Sequence, residues 1–275
     1  MPTWLCVDDH EIRDDWFNGL RNGRDDSAND TLRREAAFGC LMAGLGGGVA
    51  ADRFWYSFET SGFRFAVLDL RTERMPPGGR IWSRTQRDWF QSWLAASADH
   101  IKEGRPLFVA GSIPVFPFND GAGSAEDLGR GDGWSAYPDS LAEFFSLLLK
   151  AKVPRLVLLA GNPHLSHVAQ GTLADAGHSM SVVSVVASAL NAPLPSMGTP
   201  RGAIQASLRP APGSEPGSGP RLSYTTRTQS DEDCACVVEV AGASDGTWTL
   251  VASFVGLDGT PPGDLTAVGM TTLVF

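Results

Sequence analysis

Short apolar runs, each broken by a polar loop, punctuate the chain and predict most of its elements. WLCV, ending at Val7, breaks into DDHE and reads as a strand running into a polar loop. RFAVLDL, with Asp69 close to its end, PLFVAGS and RLVLLAGNPH read as buried strands, the last opening into a polar loop at Gly161. SMSVVSVVASAL is apolar and β-branched and predicts a strand as far as Ser188. Other stretches repeat at helical spacing. Arg34 to Gly44 predicts a helix stopped by glycines. Ser83 to Ala98 carries Trp89, Phe90, Trp93 and Leu94 on one stripe, and Ser140 to Lys152 carries Leu141, Phe144, Phe145 and Leu148 on another. Farther along, CVVEVAG, TWTLVASFVGL and TAVGMTTLVF are separated by Gly/Asp turns and predict an antiparallel sheet. The expected fold class is α/β with an α+β tail: a sheet-and-helix layered sandwich with antiparallel C-terminal strands.

Between these elements lie a turn at Ser61-Gly62, a loop at MPPGG, and a long irregular stretch from Ile113 to Trp134 in which glycines and acidic residues interleave. Pro210 to Pro220 is a Pro/Gly/Ser loop with no fold of its own. The expected organisation is one incomplete domain over 1–275. Its core and site loops occupy 1–195, and a linker and the C-terminal strands occupy 196–275.

Composition narrows the function classes. At 275 residues, 43% hydrophobic and 19% charged, the chain has the make-up of a soluble globular protein. A formal charge of -9 argues against binding a nucleic-acid backbone, and against holding an anionic membrane through a basic patch. No export signal is seen near Met1, and AAFGCLMAGLGGGVAA falls short of the roughly 20 residues a bilayer span needs. The chain as it stands is expected in the cytoplasm, with its localisation otherwise unknown. Cys6, Cys40, Cys234 and Cys236 do not make a disulfide framework in a chain of this length.

Candidate chemistry gathers where apolar strands end. Asp8, Asp9, His10 and Glu11 crowd carboxylates around an imidazole, and a second His-containing loop, AGNPHLSH, follows LVLL. Ligands and acid–base groups are commonly gathered at the carboxyl ends of strands in such a sheet. Asp9, Asn162 and His164 are residue types that divalent metals accept. His10, beside Asp9, is placed to donate a proton to a leaving oxygen. His167 either lines the same cleft or bonds a backbone carbonyl. On residue types alone, a solvated acidic turn is the plainer reading of DDHE.

VDDHEIRDDW, RFAVLDLRTER, QRDWFQSWL, GWSAYPDSLAEFFSLLL, LVLLAGNPH and VVASALNAP occur in this order between about residues 5 and 195. The ordered set resembles the alkaline-phosphatase D (PhoD-like) family of calcineurin-like metallophosphoesterases. By that resemblance Asp9 is a metal-ligand carboxylate and His164 a metal-ligand histidine. His10 contacts the phosphoryl oxygens and assists the leaving group. Asn162 falls where the family block usually carries Asp, which implies weaker cation binding. Arg71 matches a family arginine, structural or near the cleft, and Trp134 and Tyr137 match a Trp-x-x-Tyr-like segment in a cleft wall. These three and His167 are the expected substrate-binding residues. The resemblance implies divalent metal ions (Fe, Ca, Mn or Zn), a small phosphoester substrate, and a family that is often exported.

The family blocks that come before DDHE, an Asp-containing strand and a Gly-Asp block, are not found upstream of Cys6. The expectation is a truncated metal-dependent phosphoester hydrolase of impaired activity, holding one cation or none. Its exposed sheet edge would invite self-association. The alternative is a catalytically inactive metallophosphatase-like binding or structural protein.

Overall fold

The computed structural model describes residues 4–9, 20–21, 24–25, 35–36, 39–40, 43, 53–75, 79–115, 133–162, 165–187, 203–208, 219–230, 232–262 and 270–275. After a two-residue ladder of β1 (Leu20–Arg21) with β2 (Arg24–Asp25), β3 (Tyr56–Thr60) and β4 (Phe63–Val67) form a hairpin. Its two-residue turn is Ser61-Gly62, with φ of 52° and 74°. Positive φ at both positions matches the right-handed twist of the flanking strands.

Helix α1 (Arg84–Ala96) begins where the Ser83 hydroxyl accepts the Gln86 amide at 3.1 Å, and the short α2 (Ala98–Lys102) follows. Next come β5 (Leu107–Ala110) and α3 (Pro138–Lys150), whose first turn opens on a proline with no amide hydrogen to leave unbonded. Strands β6 (Arg155–Ala160), β7 (Ser166–Ala174), β8 (Ser179–Val186), β9 (Ala203–Ser207) and β10 (Arg221–Ser230) follow. The chain then forms β11 (Cys234–Gly242), β12 (Trp248–Gly256) and β13 (Met270–Val274).

Among the described residues, eight strands form one sheet in the order β3-β4-β5-β6-β8-β7-β10-β9, and β11-β12-β13 form a second, antiparallel one. Strands β4, β5, β6 and β8 run parallel. They read as near-continuous apolar runs, and at β5, β6 and β8 most side chains on both faces are buried. Leu156 and Leu158 of β6 point into the helix-side core with Phe90, Phe144 and Trp82, whereas Val157 points into the other core with Leu250, Phe254 and Leu273 of the small sheet. Each large apolar side chain so buried contributes about 1.5–3 kcal/mol. The architecture is a mixed α/β sandwich with a separate small antiparallel C-terminal sheet, as the sequence pattern predicts.

Two local features fix the layers. Gly171 of β7 lies opposite Tyr224 of β10, where a Cβ would sit 2.3 Å from the Ser223 carbonyl oxygen, so only glycine allows this approach. Arg155, at the start of β6, donates to three carbonyls from distant segments: Gly104 at 2.8 Å, Gly246 at 3.1 Å and Phe275 at 2.9 Å.

Some expectations change. WLCV joins no ladder among the described residues. The segment is held instead by side-chain contacts beside β3 and β4: Trp4 stacks on Phe58 at 3.9 Å, and the Tyr56 hydroxyl donates to the Leu5 carbonyl at 2.8 Å. Strands β7, β9 and β10 were not marked by the apolar pattern. The helix expected over Arg34 to Gly44 is described only at Glu35, Ala36, Gly39, Cys40 and Ala43, all helical. Strand β8 ends at Val186, and Ser188 lies outside the described residues, as do 116–132 and 209–218. No helix among the described residues is long and apolar enough to cross a membrane.

Candidate functional site

The parallel strands deliver their carboxyl ends to one edge of the large sheet. Beyond the strand ends the chains stay in contact: the Gly111 amide donates to Leu159, Gly161 to Ser112 and Ala187 to Ala160, each at 3.0 Å. This brings Ser112 and Asn162 side by side at the ends of β5 and β6. Asn162 has φ of 80°, a left-handed conformation that asparagine tolerates better than most residues. Strand β7 starts at the same edge, because it runs antiparallel to β8 and pairs His167 with Val186.

After β4 the chain turns sharply at Asp69. One oxygen of its carboxylate accepts the Arg71 and Thr72 amides at 3.1 and 2.8 Å, and the other accepts the Thr72 hydroxyl. Buried Gln86 of α1 brackets the same turn, accepting the Asp69 amide and donating to its carbonyl, both at 2.9 Å. Burial pushes the Asp69 carboxyl above its ordinary range, and the bonds from Thr72 and Arg71 oppose that rise.

The turn sends Arg71 inward. Its side chain is fully buried, and its Nε and one terminal nitrogen each reach an Asp8 carboxylate oxygen at 2.8 Å. The same terminal nitrogen lies 3.5 Å from an Asp9 oxygen. The Asp9 side chain is 3% exposed and that of Asp8 25%, so the guanidinium is the counter-charge of a carboxylate that is almost wholly out of water.

Of the residues that the sequence pointed to, the structure thus brings Asp9 and Arg71 together and sets Asn162 and His167 on the strand-end edge. Burial holds the His167 imidazole down to about 3, so the ring is neutral. Trp134 and Tyr137 lie within the helix-side core. Trp134 meets Trp82 edge-on at 5.7 Å, and the Tyr137 hydroxyl accepts from Arg74 and donates to the Met75 carbonyl, both at 2.8 Å. His10 and His164 lie outside the described residues.

Two contributors went unread in the sequence. Asp8 makes the shorter contacts to Arg71, and Ser112 presents a buried hydroxyl with no hydrogen-bond partner among the described residues. The signal for Asp8 was available: an arginine placed just after a buried strand needs a carboxylate, and DDHE supplies two.

A divalent metal, which the family resemblance implies, would draw on Asp9, Asn162 and His164. Among the described residues no three His, Cys, Asp or Glu side chains converge as a metal-ligand group. The Asp9 carboxylate faces a buried guanidinium, and Asn162 brings no charge. Asp9 and Asn162 do not by themselves make a metal centre.

A layered α/β sandwich with polar residues collected at parallel strand ends defines the class of the fold. Residues 1–212 match the PhoD-like phosphatase family, and the chain belongs to it. A solved structure of PhoD is similar with a TM-score of 0.53 and 15% sequence identity, over 97% of this chain. The chain spans about half of that structure, 53% of its length. No curated protein matches.

Proposed function

We propose that these 275 residues act as a metallophosphatase-like binding or structural protein that keeps the family's fold and strand-end edge. The observation that supports this is the buried Arg71 between Asp8 and Asp9. The carboxylate assigned to a metal by resemblance already has a cation 3.5 Å away. A second cation seated on Asp9 would be repelled by the guanidinium by about 4 kcal/mol per unit charge at a separation of ~4 Å and an effective dielectric of ~20.

A second reading, a metal-dependent phosphoester hydrolase, is favoured by family membership and by the gathering of Asn162 and His167 at one edge. It assigns Asp9, Asn162 and His164 to a divalent cation (Fe, Ca, Mn or Zn). It gives His10 the leaving-group proton, and Arg71 and His167 contact with a small phosphoester.

Metal content by mass spectrometry separates the two, on the purified chain beside an Asp9→Ala, His164→Ala double variant. Both are assayed on p-nitrophenyl phosphate and bis-p-nitrophenyl phosphate with each metal supplied. The binding-protein reading expects the same metal content in both and no turnover above the double variant. Stoichiometric metal lost in the variant, together with activity, overturns it.

A further inference from the structure

Two apolar surfaces face each other between the sheets without closing. Phe63 and Phe65 of β4 and Leu159 of β6 come from the large sheet, and Cys236, Val238 and Val240 of β11 from the small one. All six are half-buried and pack against one apolar cluster. On β12, next to β11, the inward residues Leu250, Ala252 and Phe254 of that cluster are buried. The sheets therefore meet beneath β12 and stand apart beneath β11. A cavity of about 570 Å³ lies in the gap, with Phe108 in its floor.

The gap is held by its surroundings. Trp248, at the start of β12, stands between the sheets. Its ring covers Gly242, where a Cβ would come within 2.9 Å, and meets Phe63 edge-on at 5.6 Å. The bare α-carbon makes room for the indole, and the indole keeps β11 off β4. Arg155 fastens the same end of the small sheet, through Gly246 of the β11–β12 turn and through Phe275. The floor is a run of rings, with Phe63 edge-on to Phe108 at 5.5 Å and Phe108 stacked on Phe65 at 4.6 Å. Prop, tie and ring floor together keep a space that close packing would otherwise remove.

We propose that this cavity binds a small, neutral, elongated aromatic molecule. Its volume falls within the roughly 300–1,000 Å³ of small-molecule sites, which are mostly apolar and largely formed before the ligand arrives. The inward side chains of β11 from Cys236 to Val240 span roughly 13 Å at about 3.3 Å per residue, the length of a few linked rings. The phenyl rings of the floor offer offset-stacked and edge-on contact to such a body. Side-chain hydrogen-bonding groups in the lining are the Thr60 and Ser61 hydroxyls at the hairpin end and the Cys236 thiol. All are neutral, and burial pushes the thiol up to about 12. A charged ligand would give up its hydration there without a counter-charge in return. Asp9, Arg71 and Asn162 do not line the cavity, so the site goes beyond the function proposed above and does not rest on it.

The test uses the full 275-residue chain. Neutral N-phenylnaphthylamine is titrated by its fluorescence, and anilinonaphthalene sulfonate, the same ring skeleton with a charge, serves as its counterpart. The expected result is saturable binding of the neutral probe, at least about tenfold tighter than the sulfonate. Val238→Trp fills the cavity and lowers that affinity at least about tenfold, whereas Val237→Trp, on the exposed face of β11, leaves it within about twofold. Because Val238→Trp could fail to fold, neutral benzophenone is also photo-cross-linked to the unaltered chain. Peptide mapping is expected to find it on residues 60–65 or 236–240, and saturating N-phenylnaphthylamine to suppress it. Equal affinity for the sulfonate, undiminished binding by a folded Val238→Trp chain, a cross-link elsewhere, or the absence of saturable binding overturns the proposal.

Discussion

Replacing Arg71 by methionine removes one buried charge and keeps much of the side chain's length, so the volume left behind stays small. The guanidinium is fully buried, with 2.8 Å contacts to Asp8 and a 3.5 Å contact to Asp9. Asp8, at 25% exposure, can recover hydration when the arginine is gone, and Asp9, at 3%, cannot. The cost therefore falls mainly on Asp9. Removing one partner of a buried pair costs about 3–5 kcal/mol, because the other charge stays behind uncompensated. For a domain of this size, that lowers Tm by on the order of 10 °C. Urea denaturation of wild type, Arg71→Met, Asp9→Asn and the double variant measures it as a cycle. Arg71→Met is expected to be the least stable of the four. Asp9→Asn in the Arg71→Met background should restore at least about 1 kcal/mol, since it neutralises the stranded carboxylate. If Arg71→Met loses less than about 1 kcal/mol, the pair does not hold the strand-end edge together, and Asp9 is open to another partner.

Other outcomes follow from the same geometry. The unfolded chain protonates His167 near its ordinary 6.5 and the folded chain only near 3, so the unfolded state binds more protons between these values. The contribution of His167 to stability is full above about 6.5 and is lost as pH falls toward 3. Urea melts of His167→Gln should be flatter across that window, and an imidazolium signal by nitrogen-15 NMR at pH 5 in the native chain would contradict the assignment. In Gly171→Ala the new methyl meets the backbone of β10, 2.3 Å from the Ser223 oxygen and 2.8 Å from Tyr224 Cα. The expected loss is about 1–3 kcal/mol or more by urea melts, and one below about 0.5 kcal/mol would refute the close approach. Burial pushes the Cys236 thiol up to about 12, and Cys234 is fully buried. Iodoacetamide at pH 8 should label exposed Cys40 and spare both of these, and peptide mapping that finds Cys236 labelled as fast as Cys40 would contradict it.

What could be read from the sequence was whatever a single local pattern specifies. RLVLLA and LFVA are strands because β-branched and leucine runs suit a doubly covered sheet, and the stripe of Phe90, Trp93 and Leu94 is a helix face for the usual reason of period. Strands β7 and β10 escaped because their side chains answer to partners far along the chain. SHVAQGTLA needs its glycine only because Tyr224 passes so close, and RLSYTTRTQS alternates weakly, with threonines that suit a strand once β7 and β9 flank it. The WLCV segment erred the other way. It is apolar enough for a strand, yet it lies beside β3 through an aromatic stack.

The candidate site follows the same rule. Asp9, Asn162 and His167 could be marked by residue type at strand ends. The pairing of Arg71 with Asp8 and Asp9 spans more than sixty positions and depends on the turn at Asp69, which no local period encodes. Trp134 and Tyr137 carry aromatic side chains whose place in the helix-side core is decided by Trp82 and Arg74, again distant in sequence.

Arg155 has a consequence for how the molecule comes apart. Its guanidinium gathers carbonyls from the turn after α2, from the β11–β12 turn and from Phe275. Loosening any one of these leaves the charge short of an acceptor and weakens its hold on the other two. The turn after α2 and the end of the small sheet are therefore expected to open as one cooperative unit. Amides beside Gly104, Gly246 and Phe275 would then exchange with a single opening free energy, while the strand-end edge keeps its own.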